Sequence, residues 1–256
     1  MADTTTLLAP GTPVWVDLSS PDLAASRTFY EGLFGWTAEV AEAPEAGGYT
    51  QFFLAGKKVA GLGPLMNGGH PAWVTYVRTD DAAATALRVR EAGGEVVVEP
   101  MEVMGQGTMA VFRDPTGAYF SVWQFAAHTG AEVFNVPGSL TWNELGTRDL
   151  PAARKFYQSV FDWGTEGDDD TYVQWQVDGR SVGGMMSIAG RLPDEIPAHW
   201  LVYFAVADAD AVANRAAELG GTVRMPAADY PGVGRFAVLA DPQGAVFAVI
   251  ATNAGD

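Results

Sequence analysis

The side chains best suited to chemistry are two carboxylates that stand near tryptophan in short apolar runs. Asp17 lies in VWVDL and Glu144 in LTWNEL, each two residues after a tryptophan. Alternate residues of a strand point to the same face, so each carboxylate should lie beside an indole ring. Desolvation there favours the protonated acid or a cation nearby. Asp17 or Glu144 could accept a hydrogen bond from a ligand hydroxyl or ammonium.

The histidines offer one further candidate. His199 opens a strand-like run, and it could act as a general base or form a hydrogen bond with Glu144, which is the arrangement we favour. His70 and His128 lie in loop-like or linker-like sequence and are expected to be surface groups. The candidate catalytic residues are therefore Glu144 and His199.

Composition excludes several classes of function. The chain of 256 residues has no cysteine, which removes thiol nucleophiles, disulfides and thiolate metal sites. Its formal net charge of −16 repels phosphate-rich partners, so nucleic acid is not expected as a ligand. No apolar run approaches the roughly 20 residues of a membrane span, and no signal peptide is visible at the N-terminus. We expect a cytoplasmic protein with no membrane partner.

The sequence is a duplication with a shift of 127 residues. SRTFYEGLFGW at 26–36 matches ARKFYQSVFDW at 153–163, and DPTG at 114–117 matches DPQG at 241–244. A fixed internal period indicates a repeated structural unit. We therefore predict two modules, residues 1–125 and 139–256, joined by a linker at 126–138.

Each copy predicts the order β-α-β-β-β-α-β-β, an α+β arrangement. Asp22 and Asp149 stand where a helix N-cap would, and the following residues place large apolar groups at three- and four-residue steps until Gly35 ends the first helix. An Ala-rich helix ends each time at Gly-Gly, and Asp-Pro-x-Gly marks a closing hairpin. Phe29, Trp36 and Trp73 are expected in the core on the helix side.

These motifs resemble the vicinal oxygen chelate superfamily, which includes glyoxalase I, bleomycin-resistance proteins and extradiol dioxygenases. The resemblance rests on D-L-x-x-[AS]-x-x-F-Y-x-x-x-F-x-W, the Gly-Gly helix end and D-P-x-G, and it covers about residues 11–251. The segments GTPVWVDL and GRFAVLADPQGA are similar to segments in a branch of fused two-module actinobacterial proteins described as glyoxalase-like or hydroxylase-like. The resemblance implies two tandem βαβββ-type modules with curled mixed sheets, concave cavities and pseudo-twofold symmetry.

Metal enzymes of the family bind a divalent ion at positions that can be located in this chain. The first-strand position becomes Trp15 and Trp142, and the middle-strand position falls near Gly61 and Gly184. The strand before the second helix offers Ala72 and His199, and the last strand offers Ser121 and Ala248. A catalytic ion needs about three protein donors. Only His199 among these positions is a usable ligand, so we expect no metal and no other cofactor in this chain.

Other side chains on the face of those positions should line the cavity. Large rigid aromatic faces with a few polar groups are what a planar organic ligand requires. The predicted ligand-binding residues are Trp15, Asp17, Tyr76, Tyr119, Ser121, Trp123, Trp142, Glu144, His199 and Tyr203.

Three functions compete at this point. The first is metal-independent binding of a small planar aromatic ligand, in sequestration or natural-product tailoring. The second is a glyoxalase-like or cofactor-independent tailoring enzyme that uses Glu144 and His199 as acid–base groups. The third is a structural or signalling protein whose large inward side chains fill the cavity. A fused pair of modules already supplies what single modules obtain by dimerising, so a monomer with an internal pseudo-dimer is expected.

Overall fold

The computed structural model describes residues 9–65, 69–168 and 171–252, in which four βαβββ motifs follow one another. Motifs 1 and 2 form the first repeat, and motifs 3 and 4 form the second. Motif 1 comprises β1 (Pro13–Ser20), α1 (Leu23–Phe34), β2 (Thr37–Val40), β3 (Thr50–Leu54) and β4 (Lys57–Pro64). Motif 2 comprises β5 (Ala72–Thr79), α2 (Ala82–Glu91), β6 (Glu95–Val103), β7 (Gly107–Arg113) and β8 (Tyr119–Phe125).

The second repeat has the same order of elements. Motif 3 comprises β9 (Leu140–Thr147), α3 (Leu150–Phe161), β10 (Gly164–Asp168), β11 (Tyr172–Val177) and β12 (Arg180–Ser187). Motif 4 comprises β13 (His199–Ala205), α4 (Ala209–Glu218), β14 (Thr222–Tyr230), β15 (Gly234–Ala240) and β16 (Val246–Thr252). The duplication and the α+β class are thus confirmed.

The predicted element order was wrong by two strands in each repeat. In the first repeat the missed strands are β2 and β6. Strand β2 is short and mostly exposed, and β6 alternates between exposed and half-buried positions around Glu and Pro residues. Strand β2 has only four residues, and Pro100 interrupts the Val-rich run of β6, so neither shows an unbroken strand pattern in the sequence.

Each helix begins at an aspartate whose carboxylate accepts a hydrogen bond from a backbone N–H of the first turn. The predicted caps Asp22 and Asp149 accept from Ala25 N and Ala152 N at 3.0 and 2.9 Å. Asp81 and Asp208 cap the other two helices in the same way. Gly35 ends α1 in the left-handed conformation at φ 69°, as expected of a glycine C-cap.

The four motifs share one strand order, with a mixed pattern of pairing. In motif 1 the order is β2-β3-β4-β1, where β1 runs parallel to β4 and the other pairs are antiparallel. The corresponding orders are β6-β7-β8-β5, β10-β11-β12-β9 and β14-β15-β16-β13. A parallel first strand places its residues opposite the last strand of the motif, and this pairing positions the candidate site described below.

The chain folds into two compact units, and each unit takes segments from both repeats. Of the described residues, the first contains 9–14, Val74–Gly130, 142–168 and 171–201. The second contains 15–65, 69–73, Ala131–Thr141 and 202–252. Motifs 2 and 3 therefore supply most of one unit, and motifs 1 and 4 most of the other.

Each unit has its own apolar core between helices and strands. In the second unit Phe29, Trp36 and Trp73 lie in the core, as predicted, and Phe204 and Phe247 of the other repeat pack in the same cluster. Apolar burial at about 25 cal/mol per Å² of surface supplies most of the stabilisation here.

A buried chain of hydrogen bonds crosses each core from one repeat to the other. Trp200 Nε1 donates to the Tyr157 hydroxyl at 2.9 Å, and Tyr157 donates to Asp114 Oδ2 at 2.9 Å. In the second unit Trp73, Tyr30 and Asp241 repeat the arrangement at 3.0 and 3.2 Å. The aspartate of each Asp-Pro-x-Gly turn thus accepts a hydrogen bond from a tyrosine in the first helix of the opposite repeat.

Among the helices within the described ranges, none is long and apolar enough to cross a membrane.

Candidate functional site

Trp15, Asp17 and Tyr49 form a hydrogen-bonded group, here called triad 1. Trp15 Nε1 donates to Asp17 Oδ1 at 2.6 Å, and the Tyr49 hydroxyl donates to the same oxygen at 2.8 Å. The indole nitrogen also lies 3.3 Å from the Tyr49 oxygen. Trp15 and Asp17 share one face of β1, because they are two residues apart, and Val16 and Leu18 face the helix-side core instead.

The second repeat holds the equivalent group, Trp142, Glu144 and Tyr172, here called triad 2. Trp142 Nε1 donates to the Tyr172 hydroxyl at 3.1 Å, and that hydroxyl is hydrogen-bonded to Glu144. Glu144 is 8% exposed, whereas Trp142 and Tyr172 are half-buried. A ligand can therefore approach the triad without unfolding it.

A glycine beneath each triad makes room for the tyrosine. Gly61 pairs with Asp17 in the parallel β1–β4 register, and Gly184 pairs with Glu144 in the β9–β12 register. A Cβ on Gly61 would lie 1.9 Å from Asp17 Oδ1 and 2.1 Å from the Tyr49 oxygen. A Cβ on Gly184 would lie 2.2 Å from the Tyr172 oxygen. Any side chain at these two positions would displace the triad.

The electrostatics of triad 2 keep the phenol protonated. Burial raises the pKa of Tyr172 well above its usual value, and the negative charge of Glu144 raises that pKa further. The phenol is therefore a fixed O–H donor toward the Glu144 carboxylate.

The other predicted site residues fall into separate places. Tyr76, Ser121 and Trp123 are buried in the first compact unit, where Tyr76 is the register partner of Ser121 and its ring lies edge-on to Trp123 with 6.4 Å between centroids. Tyr203 packs edge-on against Phe236 in the second unit. Tyr119 stands at the start of β8, 53% exposed, with the Arg113 guanidinium over its ring.

The predicted hydrogen bond between His199 and Glu144 is wrong. The His199 Nδ1 atom instead pairs with the Pro197 carbonyl oxygen, two residues earlier in the chain, at 2.9 Å. Its ring lies beside Gly146, two residues beyond Glu144 on β9. Glu144 takes the Tyr172 hydroxyl as its partner instead.

The prediction for one of the two remaining histidines was also wrong. His70 is exposed, as expected, but His128 is only 5% exposed. Its carbonyl oxygen accepts the Trp123 indole N–H at 2.8 Å, and its ring contacts the Trp123 ring. The linker-like sequence around His128 did not indicate that Trp123 would pack against it.

Tyr49 and Tyr172 are the site residues that sequence reasoning missed. A signal was present, because the segments YTQFFLAG and YVQWQVDG both open with a tyrosine two residues before a glutamine. Those glutamines, Gln51 and Gln174, pair with Gly61 and Gly184 across the antiparallel strands. The register that brings the tyrosines over the glycines is not readable from the sequence.

The triads do not fit the divalent ion that the family resemblance implies. Each offers one carboxylate, whereas the indole N–H is a donor and cannot ligate a cation. Over residues 9–65, 69–168 and 171–252, no three His, Cys, Asp or Glu side chains cluster in a way that could hold a metal ion.

Both repeats match the same protein family. The sequence pattern of the Glyoxalase/Bleomycin resistance protein/Dioxygenase superfamily matches residues 12–122 and again residues 139–249. The Anthracycline biosynthesis protein DnrV of Streptomyces peucetius is 45% identical over 98% of this chain and 96% of its own length. CFP32 of Mycobacterium bovis, named as a candidate glyoxylase, is 41% identical over 94% of each chain.

The fold is also similar to solved structures with little sequence identity. A crystal structure of the Mn(II)-bound glyoxalase from Novosphingobium aromaticivorans superposes with a TM-score of 0.67 at 19% identity, over 94% of this chain and 82% of that chain. At this identity the likeness concerns the fold alone.

Proposed function

Since this chain belongs to the Glyoxalase/Bleomycin resistance protein/Dioxygenase superfamily through both of its repeats, we propose that it binds a small planar aromatic molecule without a metal ion. The single observation that carries the proposal is the pair of triads, in which an indole and a phenol flank a carboxylate over a glycine. Aromatic faces supply contact area at low conformational cost, and the carboxylate orients the ligand.

The chemical class of ligand follows from the relatives together with the triads. A protein named for anthracycline biosynthesis is 45% identical to this chain over nearly its full length. Anthracyclines are flat, hydroxylated aromatic polyketides, whose rings and phenolic hydroxyls suit an indole beside a carboxylate acceptor. A role in tailoring or sequestering such a molecule is the function that the site supports best.

The test is a fluorescence titration with alizarin, a dihydroxyanthraquinone, of protein treated with EDTA. Saturable quenching of tryptophan emission should occur with no metal ion added. Trp142→Ala should weaken binding at triad 2, whereas Trp142→Phe, which keeps a ring, should weaken it less. Absence of saturable quenching, or binding that requires Mn²⁺, would contradict the proposal.

A tailoring enzyme is the second candidate, and the half-buried Trp142 and Tyr172 beside Glu144 favour it. Glu144 could accept a phenolic proton from a bound polyketide, with Tyr172 stabilising the carboxylate. His199 would act in this candidate through its Nε2 atom, since its Nδ1 pairs with the Pro197 carbonyl oxygen. Mass spectrometry of aromatic polyketides recovered after incubation separates the two roles, because a sequestering protein returns its ligand unchanged.

A further inference from the structure

Thr75 and Asn143 form a buried polar contact between the two repeats inside the first compact unit. The Thr75 hydroxyl on β5 donates a hydrogen bond to Asn143 Oδ1 on β9 at 2.8 Å. The two residues are 1% and 2% exposed, so neither side chain can exchange this bond for one with bulk water. Each side chain thus depends on the other repeat for this hydrogen bond.

The equivalent positions of the second unit are apolar. The shift of 127 residues that relates the repeats brings Asn143 onto Val16 and Thr75 onto Val202. Both valines are fully buried and belong to the core of the second unit. One unit therefore has a polar pair at these positions, and the other has two apolar side chains.

The tyrosine–aspartate bonds between the repeats do not differ in this way. Tyr30 donates to Asp241 in one unit, and Tyr157 donates to Asp114 in the other, with the same residue types in the same roles. Such bonds would form equally well in a homotypic pair, defined here as the association of equivalent repeats from two chains. They cannot distinguish a homotypic pair from the pairing of the two different repeats.

A homotypic pair would separate Thr75 from Asn143. By the repeat symmetry, two copies of the first repeat would bring Thr75 to Val16, and two copies of the second would bring Asn143 to Val202. The amide of Asn143 would then be buried against an apolar side chain. A buried polar group that loses its partner is destabilising, whereas two valines in contact have no such penalty. A single buried asparagine selects between alternative pairings in coiled coils for the same reason.

We propose that Thr75 and Asn143 determine which repeats associate. They favour the pairing of the two different repeats within one chain over a dimer built from homotypic pairs. The selection arises mainly from the mismatch in the wrong pair, because specificity is a difference between two affinities.

The test exchanges these residues in the full chain. Val16→Asn with Asn143→Val, the two-residue exchange, puts a mismatch in each unit of the native pairing and makes the homotypic pairs matched. The further changes Thr75→Val and Val202→Thr give a four-residue exchange, which is matched in both units again with its polar pair in the second unit. Thr75→Val with Asn143→Val alone makes both units apolar. Each protein is refolded from urea at several protein concentrations and analysed by size-exclusion chromatography with light scattering.

The wild type and the four-residue exchange should refold to monomers. The two-residue exchange should raise the unfolding equilibrium constant of the monomer at least about ten-fold and should form dimers. The apolar variant should fold, but its dimer fraction should exceed that of the wild type and rise with protein concentration. This variant decides the matter if the two-residue exchange does not fold.

Two results would overturn the inference. The first is an apolar variant that refolds to monomer as completely as the wild type at every concentration. The second is a four-residue exchange that is no more stable and no more monomeric than the two-residue exchange, since residues that matter only for local packing would not be rescued by a matched partner.

Discussion

At the level of single residues, the two triads place their carboxylates differently. In triad 1 the indole of Trp15 reaches Asp17 directly at 2.6 Å, but in triad 2 the indole of Trp142 reaches the Tyr172 oxygen at 3.1 Å. Glutamate is one methylene longer than aspartate. The two sites are therefore related by duplication without being chemically identical, and their affinities for one ligand should differ.

The buried tyrosines of the core should make the free energy of unfolding depend on pH in the alkaline range. Burial raises the pKa of Tyr30, and the charge of Asp241 raises it further. An acid with a raised pKa in the folded state contributes stability below its unfolded pKa of about 10, and this contribution is lost as pH rises above that value. The free energy of unfolding should fall above about pH 10, by about 1.4 kcal/mol per pH unit for each such tyrosine.

Urea unfolding of wild type and Tyr30→Phe between about pH 9 and pH 12 measures this contribution. The variant should be less stable at neutral pH, because Trp73 and Asp241 lose a partner. Its stability should also decline less steeply with pH than that of the wild type. Parallel curves for the two proteins would show that Tyr30 does not contribute in this way.

At the level of elements, strand β4 decides whether triad 1 can form. Gly61→Ala places a methyl group where the Asp17 carboxylate and the Tyr49 hydroxyl now lie, so alizarin binding at triad 1 should be lost. Gly63→Ala is the matched control on the same strand, because its Cβ would lie 3.5 Å from the nearest atom of Tyr49, an ordinary contact. The fluorescence titration should show normal affinity for the control, and equal affinities of the two variants would mean that triad 1 binds nothing.

The Asp-Pro-x-Gly hairpin is an element held by one carboxylate. Asp114 accepts from Thr116 N, Thr116 Oγ1 and Ala118 N within its own turn, and from Tyr157 of α3. Asp114→Ala should lower the free energy of unfolding by about 3 kcal/mol, because several buried donors lose their acceptor. Asp194→Ala, whose carboxylate is fully exposed, should change it by less than about 0.5 kcal/mol in the same urea titration. A loss below about 1 kcal/mol for Asp114→Ala would show that the turn holds without its carboxylate.

Local sequence patterns predicted the local parts of this structure. The period of 127 residues, the helix caps Asp22 and Asp149, and the shared face of Trp15 and Asp17 all depend on near neighbours or on self-similarity. Tyr49 belongs to triad 1 although it lies 32 residues from Asp17 in the sequence. The register of β3 and β4 brings it there, and the presence of Gly61 allows this register but does not predict it. His199 takes a backbone carbonyl, that of Pro197, as its partner, and an argument from side-chain types does not predict this.

At the level of the whole molecule, neither repeat contains a complete core. Phe29 and Tyr30 of the first repeat pack with Phe247 of the second, and Phe120 packs with Phe156 and Tyr157. The repeats predicted as modules 1–125 and 139–256 are each joined to the other through both compact units. We therefore expect the stability of the chain to depend on both copies.

Separate expression of residues 1–125 and 139–256 tests this dependence. Each fragment alone should be unfolded or should form a homodimer, since only a second copy can replace the missing half of its cores. Mixing the fragments should restore the cooperative unfolding of the intact chain, as measured by circular dichroism and size-exclusion chromatography. A folded monomeric fragment with cooperative unfolding would contradict the shared cores.

The most direct test of the central claim is a crystal structure of the EDTA-treated protein with alizarin. The account predicts the ring system against Trp15 or Trp142, with a ligand hydroxyl donating to Asp17 or Glu144 and the tyrosine still bonded to that carboxylate. A metal ion coordinated beside either tryptophan in crystals grown with Mn²⁺, or alizarin bound away from both triads, would contradict it.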